Sequence, residues 1–116
     1  MTLSLDQIIR AVNLTVLTQA NDFSEVIPEG GYTSDLLSCV MAGAGHKSLW
    51  VTLQAHNNIV AVAALLELSA VIITEDAQPD AETIAKATQE NVILLSTPKP
   101  TFHVVGRLWE MGLKVD

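Results

Sequence analysis

The feature that most constrains the fold of this chain is an alternation between short apolar runs and longer segments with helical periodicity. The runs at 70–74 and 92–95 are almost unbroken, as in strands that are buried on both faces of a parallel sheet. A third run, at 49–53, is rich in residues that favour strands. The pattern predicts an α/β fold: a single domain with a mostly parallel sheet of βα units and flanking helices.

Helix boundaries follow from capping residues and from the spacing of apolar side chains. Ser4 begins a capping box, and Asn13 is expected to end the first helix in a left-handed conformation. Ser34 is expected to cap a second helix, and Asn57 or Asn58 a third. Helices are predicted near 5–12, 34–41, 58–68, 80–90 and 101–111, with a short strand at 14–17 and a polar loop at 19–31.

The net charge excludes some classes of partner. The chain has 116 residues, enough for one core, and its 13 acidic residues outnumber six scattered basic ones, for a net charge of −7. A nucleic-acid surface needs a basic stripe that replaces phosphate counterions. We therefore expect no nucleic acid and no anionic membrane surface among its partners.

Targeting signals and cysteine usage indicate a compartment. No charged n-region or apolar h-region follows Met1, so no secretory signal is expected, and the longest apolar stretch, Ile59–Leu66, is too short to span a membrane. Cys39 is the only cysteine, which fits a reducing cytoplasm. Its place among the apolar residues of the second helix predicts a buried, inert thiol. We expect a soluble, cytoplasmic protein.

The motifs that could indicate catalysis are weak. The segment 43–48 resembles a phosphate-binding loop only superficially, because a histidine separates its glycine from its lysine, and we interpret it as a helix-to-strand turn. The three histidines lack metal-ligand spacing and the acidic residues of 75–82 lack a calcium-loop pattern, so no metal or cofactor is expected. An enzyme that uses His56 with Asp35 is an alternative. No nucleophile motif accompanies that pair, so the chain is not expected to be an enzyme.

The ends of three predicted strands carry the residues of a candidate ligand site. In open α/β sheets, ligands bind in the crevice outside the carboxyl ends of the strands. The residues at or just after those ends are His56, Asn57, Asn58, Thr74, Thr97 and Thr101. The alternative interpretation is that these side chains only cap helices and turns.

The third predicted helix favours self-association. Residues 59–68 are apolar on nearly every side, and Glu67 is their only charge, although a helix that covers one face of a sheet should have a polar outer stripe. Other helices of the chain or a second copy must cover that helix. Since only 16% of all residues are charged, we expect a homodimer, with apolar residues of the 34–41 or 59–68 helices at its interface.

Four groups of residues stand in the order and spacing of a known family. They are Gly30–Leu37 with Val40-Met41, Leu49–Ala63, Ile72–Thr74 with Pro79-Asp80, and Thr97-Pro98 with Thr101-Phe102. Together they closely resemble standalone members of the DRTGG domain family over essentially the whole chain. The resemblance implies a fold like that of the N-terminal domain of HPr kinase. It also implies kinship with modules beside CBS domains in regulatory pyrophosphatases and in some phosphotransacetylases, which are linked with regulation and dimer formation rather than with catalysis.

The residues that name the family are only partly present here. After the 49–53 strand the chain reads Gln54-Ala55-His56, without the family's Asp-Arg pair. Thr74 is retained, but Glu75-Asp76 replaces the two glycines. Thr74 is therefore the one residue whose role carries over, and the two carboxylates disfavour an anionic ligand at this edge because they repel phosphate.

These observations lead to two hypotheses of function. The first is a non-catalytic regulatory module that binds a small ligand, a partner protein or both. The second is a dimeric interaction scaffold without a ligand. A pocket at the edge formed by 54–58, 74–76 and 96–101 would distinguish the first from the second.

Overall fold

A mostly parallel β-sheet forms the centre of the molecule. In the computed structural model, which describes residues 2–18 and 22–115, the sheet has five strands: β1 (Thr15–Val16), β2 (Gly30–Thr33), β3 (Ser48–Thr52), β4 (Ala70–Ile73) and β5 (Leu94–Ser96). Their order in the sheet is β1-β5-β4-β3-β2. The strand β1 pairs antiparallel with β5, and the remaining pairs are parallel. Residues 19–21 of the predicted 19–31 loop lie outside the described residues.

Helices cover both faces of this sheet because side chains alternate along the buried strands. On β3, Leu49 and Val51 face one apolar cluster, whereas Trp50 faces the other. The helices are α1 (Leu5–Val12), α2 (Leu37–Gly43), α3 (Asn58–Leu65), α4 (Ala81–Gln89) and α5 (Thr101–Glu110). The first cluster contains residues of α1 and α5, and the second contains residues of α2, α3 and α4. The predicted fold class, a single α/β domain with a mostly parallel sheet, is confirmed.

Local signals at several helix ends are confirmed. Ser4 and Gln7 form the predicted capping box, and Asn13 ends α1 with a φ of 59°, a left-handed conformation that Asn adopts more readily than most residues. The side chain of Asp80 caps α4 by accepting a hydrogen bond from the Thr83 N–H at 2.8 Å. The 43–48 segment connects α2 to β3, as the helix-to-strand interpretation required.

The predictions for α2 are partly wrong. The helix begins at Leu37 rather than at Ser34, and the Ser34 hydroxyl accepts a hydrogen bond from the Leu36 N–H in the preceding loop. Within α2 only Val40 is buried, and Cys39 is exposed. Most of α2 is exposed because the helix lies at the edge of the sheet. It contacts the edge strand β2 and the helix α3, and these cover only one of its sides. The expected buried, inert thiol is therefore an exposed one.

The apolar helix α3 is covered mainly by its own chain. It ends at Leu65, and its residues Ile59, Val60, Val62 and Ala63 are buried beneath α2 and α4, which contact it on either side. The sequence indicates that either other helices of this chain or a second copy must cover α3, and other helices of this chain bury most of it. The predicted side-chain cap by Asn57 or Asn58 is wrong, because Asn57 occupies the N-cap position without a side-chain hydrogen bond.

Membrane insertion can be assessed from helix length and hydropathy. Across residues 2–18 and 22–115, no helix combines the length and the apolar character that crossing a bilayer requires.

Candidate functional site

The carboxyl ends of β2, β3, β4 and β5 meet at one edge of the sheet, because these four strands are parallel. The loops that follow them define this carboxyl edge: 34–36, 53–57, 74–80 and 97–100. All six residues of the predicted site lie in these loops or in the first turn of the helices that follow.

Three of those residues, the threonines, lie together. The Thr74 and Thr101 hydroxyl oxygens are 2.5 Å apart, and the Thr74 hydroxyl also donates to the Thr52 carbonyl at 3.3 Å. The Thr97 hydroxyl accepts a hydrogen bond from the Lys99 N–H at 3.1 Å. Thr74 and Thr97 are buried, whereas Thr101 is partly exposed. Since protein groups satisfy these hydroxyls, they hold the loops together, and Thr101 alone of the three faces the surface in part.

The other three residues form an exposed turn. His56, Asn57 and Asn58 are all exposed at the start of α3, and Nδ1 of His56 accepts a hydrogen bond from the Asn58 N–H at 3.3 Å. This hydrogen bond fixes the ring over the first turn of α3. Among the described residues, none of the three is hydrogen-bonded to the threonines. The edge thus combines a buried threonine cluster with an exposed polar turn.

Sequence reasoning missed the role of Asp35. One oxygen of its carboxylate, Oδ1, accepts hydrogen bonds from the Thr52 hydroxyl at 2.7 Å and from the Leu53 N–H at 2.8 Å. The Gln54 side chain donates to its backbone carbonyl at 3.0 Å. An enzymatic function would depend on a contact between Asp35 and His56, but none of these hydrogen bonds joins the two residues. Asp35 instead joins the loop after β2 to the end of β3, a contact between residues 17 to 19 positions apart that no local motif signals.

Glu75 and Asp76 form the turn that follows β4. Both are left-handed, with φ angles of 61° and 59°, a conformation that costs most L-residues energy and costs glycine none. Their N–H groups donate to the carbonyls of Lys99 and Thr97, and Oε2 of Glu75 accepts from the Thr101 N–H at 2.9 Å. The chain thus keeps a backbone suited to glycine while it places two carboxylates there.

This turn leads to a prediction about stability. We expect Asp76→Gly to raise the free energy of unfolding by about 0.5–1 kcal/mol, because glycine removes the steric cost of the left-handed backbone. Glu75→Gly should gain less, since it loses the 2.9 Å hydrogen bond to the start of α5, whereas Asp76→Gly loses only a longer, exposed hydrogen bond from the Gln78 side chain at 3.2 Å. Urea denaturation measures both, with Asp76→Ala as the control that keeps the Cβ atom. A loss of stability in Asp76→Gly would contradict this explanation of the turn.

Negative charge dominates the electrostatics of the edge. The loops and the first turn of α4 carry the side chains of Asp35, Glu75, Asp76, Asp80 and Glu82, against the single lysine Lys99. The Thr83 backbone N–H lowers the pKa of the Asp80 carboxyl, its hydroxyl does the same, and nearby His56 adds a smaller effect in that direction. Because this pKa is lowered on folding, the carboxylate stabilises the fold above its ordinary pKa and loses that effect as the pH falls through the lowered value. In the described parts of the chain, no three His, Cys, Asp or Glu side chains are close enough to hold a metal ion.

A largely apolar cavity lies outside the four loops of this edge. It has a volume of about 180 Å³ beside β2 and α5, and we call it the α5 groove. Larger, open cavities of about 460 and 470 Å³ lie near the amino ends of the strands. The residues that line the α5 groove are Gly31, Tyr32, Thr33, Val51, Val105, Leu108, Trp109, Leu113 and Val115. The six predicted site residues do not line these three cavities, so the predicted ligand site stays a prediction.

Comparison with known proteins gives a match in structure only. No family model and no curated protein matches the sequence. The structure is similar to the CBS and DRTGG domains of the regulatory region of Clostridium perfringens pyrophosphatase, solved in complex with its activator diadenosine tetraphosphate. The TM-score is 0.74 at 22% sequence identity, and the match covers 97% of this chain but 48% of that chain. This chain therefore spans about half of that regulatory region, and its fold is similar to that of a DRTGG domain.

Proposed function

We propose that this chain is a non-catalytic, cytoplasmic regulatory module that binds a small ligand at the carboxyl edge of its sheet and acts as a homodimer. The observation that carries the proposal is the likeness in fold, over 97% of the chain, to a regulatory region that was solved with a bound activator. Fold alone does not determine function. The proposal therefore also depends on the polar groups that the carboxyl edge presents.

The exposed turn is the part of the edge that can contact a ligand. His56, Asn57 and Asn58 offer an imidazole and two amides to solvent, groups that can both donate and accept hydrogen bonds. Thr101 adds a partly exposed hydroxyl from the neighbouring unit. The buried Thr74 and Thr97 frame the site by fixing the loops. In this assignment the four exposed or partly exposed residues contact the ligand, and the two buried threonines hold the loops in position.

The charge of the edge restricts the ligand to neutral or cationic compounds. The loops of the edge and the first turn of α4 carry five carboxylates against one lysine, and like charges repel each other. A polyphosphate is therefore a poor ligand for this edge. On this basis we expect that this chain does not bind diadenosine tetraphosphate, in contrast to the pyrophosphatase region.

A thermal-shift screen tests this proposal. The probes are neutral nucleosides, amino acids, spermidine and diadenosine tetraphosphate. We expect a neutral or cationic compound to raise the melting temperature, because a ligand at 100 times its Kd stabilises the folded state by about 2.7 kcal/mol. The double variant His56→Ala/Asn58→Ala should lose the shift while its melting temperature without ligand stays within a few degrees, since both side chains are exposed.

Two outcomes would contradict the proposed site. Equal losses of stability and of binding in the double variant would mean that the turn is a structural cap. A shift with diadenosine tetraphosphate alone would mean that the acidic loops do not select the ligand. As a matched control, His46→Ala removes an exposed histidine from the segment between α2 and β3, at the amino ends of the strands, and should leave the shift unchanged.

The second candidate function is a dimeric scaffold without a ligand. The observation that favours it is the number of large apolar side chains that remain exposed, since exposed apolar surface marks interaction sites when it is contiguous. A dimer with no thermal shift from any probe would favour the scaffold. The exposed side chains are Ile27, Leu36, Met41, Leu53, Leu65, Phe102, Trp109 and Val115.

A further inference from the structure

A cavity of about 470 Å³ lies at the amino ends of β2 and β3, and we call it the amino-edge cavity. Its lining includes Gly30 of β2, Gly45 of the turn that follows α2, and Ser48, the first residue of β3. The volume is within the range of about 300–1,000 Å³ that is typical of small-molecule sites. The cavity lies at the opposite end of the parallel strands from the carboxyl edge, so it is separate from the site proposed above.

The Ser48 hydroxyl lines this cavity without a partner from the protein. Ser48 is only 5% exposed, and no hydrogen bond among residues 2–18 and 22–115 involves its hydroxyl. By contrast, the hydroxyl of Ser69 donates to the Lys47 carbonyl at 2.6 Å. A nearly buried hydroxyl destabilises a fold unless something bonds to it. The partner of Ser48 must therefore come from the cavity, as water or as a ligand.

Two glycines leave room beside this hydroxyl. A Cβ atom added at Gly30 would lie 3.6 Å from the Ser48 Oγ, and one added at Gly45 would lie 3.5 Å from it. Gly30 also makes room for Val115, which would be 2.9 Å from the added Cβ. Neither glycine has the left-handed backbone that would by itself favour glycine. In the described chain, the Ser48 Oγ is the one atom beyond the adjacent residues that a Cβ at Gly45 would approach within 4 Å.

The polar groups around the cavity favour a cation. The Glu29 carboxylate lines the cavity, is exposed and belongs to none of the ion pairs in the described ranges. The Tyr32 and Ser48 hydroxyls also line it, and the last carbonyls of α2 nearby lack helical donors. No described lysine or arginine lines the cavity, and Nδ1 of His46 lies 3.3 Å from the Glu67 carboxylate. An ammonium group, with one positive charge and three N–H donors, matches these acceptors.

We propose that the amino-edge cavity binds a small organic amine, with its ammonium group at the Ser48 hydroxyl and the Glu29 carboxylate. Glu29 directly precedes Gly30, which lies opposite Ser48 in the sheet, so one ammonium group can contact both. The cavity is much larger than a bare cation, and Tyr32 and Val115 give it apolar walls that accommodate an alkyl body. This site is additional to the carboxyl edge and does not depend on it.

Two probes of equal length test the proposal by NMR titration. Pentylamine carries an ammonium group at neutral pH, and pentanol has the same alkyl body without the charge. We expect pentylamine to shift the backbone amide signals of 29–32 and 43–48 in a saturable manner. The Kd for pentanol should be at least about tenfold higher, the scale of one lost charge-assisted hydrogen bond. Equal binding of the two probes, the same shifts with potassium chloride alone, or pentylamine shifts that lie elsewhere would overturn the proposal.

Ser48→Ala separates a ligand contact from a structural role. Because the Ser48 hydroxyl has no partner in the described protein, its removal should leave the melting temperature unchanged or raise it. The same variant should raise the Kd for pentylamine about tenfold. Ser69→Ala is the matched variant, since it removes a hydroxyl that is bonded to the Lys47 carbonyl, and it should lower the melting temperature. An equal fall in Ser48→Ala, or an unchanged Kd, would overturn the assignment of Ser48.

A matched pair of charge variants tests the carboxylate. Glu29→Gln should raise the Kd for pentylamine about tenfold. Glu25→Gln removes an exposed carboxylate that does not line this cavity and should change the Kd by less than about twofold, because solvent and salt screen exposed charges. Equal effects of the two variants would mean that only the net charge of the chain matters, and would overturn a site at Glu29.

The His56→Ala/Asn58→Ala variant distinguishes this site from the carboxyl edge. It should keep the pentylamine shifts in 29–32 and 43–48 whether or not it loses the thermal shift of a carboxyl-edge ligand. Loss of pentylamine binding in this variant but not in Ser48→Ala would overturn the amino-edge site and leave the carboxyl-edge site standing. Pentylamine binding that only Ser48→Ala and Glu29→Gln weaken supports the amino-edge site, even if no probe binds at the carboxyl edge.

Discussion

Replacing Val62 by Glu should destabilise the chain by at least about 3 kcal/mol, the scale of an unpaired charge in an apolar core. Val62 is only 8% exposed and lies in the cluster that contains Trp50 and the inner residues of α3 and α4. Because a typical domain is stable by about 5–15 kcal/mol, this loss could remove most of the folded population. Urea denaturation followed by circular dichroism measures it.

Leu65→Glu is the matched control for this prediction. Leu65 lies three residues further along the same helix and is 66% exposed, so the same substitution there should change the free energy of unfolding by no more than about 0.5 kcal/mol. A folded, monomeric Val62→Glu protein would contradict the burial of Val62 within the chain. Such a result would indicate that α3 lies at a dimer interface, as its uniformly apolar sequence predicts.

Replacing Trp50 by Ala should cost about 3–5 kcal/mol, the range for removal of a large aromatic side chain from a packed core. Trp50 is fully buried on β3, and its indole N–H donates to the Ser34 carbonyl at 2.9 Å. The substitution therefore leaves a cavity and also releases the loop that precedes α2. Thermal and urea denaturation measure the loss.

Trp50→Phe separates these two contributions. Phenylalanine keeps most of the apolar volume but cannot donate to the Ser34 carbonyl. We expect it to cost about 1–2 kcal/mol, the scale of a lost hydrogen bond plus a small cavity. If Trp50→Ala cost no more than Trp50→Phe, burial of the ring would not be the main contribution.

The sequence predicts the central strands well because residues that are buried on both faces of a sheet form unbroken apolar runs along the chain. The runs at 70–74 and 92–95 lack polar alternation since both faces of β4 and β5 are covered. The capping groups of Ser4 and Asp80 act within three residues along the chain. Signals of this kind are local, and the structure confirms them.

The start of α2 could not be predicted because tertiary contacts decide it. Ser34 and Asp35 have the composition of a helix start, but Trp50 binds the Ser34 carbonyl and the end of β3 binds the Asp35 carboxylate. These contacts hold both residues in the loop, and α2 begins at Leu37. The exposure of Cys39 has the same cause, since only the position of α2 at the sheet edge shows which of its sides meets solvent.

The sequence predicts which residues follow the strands but not the contacts that those residues make. Parallel strands bring their carboxyl ends together, so positions after strands identify Thr74 and Thr97. The sequence does not show that their hydroxyls are satisfied inside the protein or that Asp35 joins two loops. The sequence also does not reveal the left-handed backbone of Glu75 and Asp76, since neither residue is a glycine.

Mapping of backbone amide chemical shifts by NMR tests the central claim, ligand binding at the carboxyl edge, most directly. The titrant is the compound that gives the largest thermal shift, and the comparison is the same titration of the His56→Ala/Asn58→Ala variant. We expect the shifts to concentrate in 53–58, 75–76 and 97–101 and to disappear in the variant. Shifts that concentrate instead in the α5 groove, or that persist unchanged in the variant, would contradict that claim.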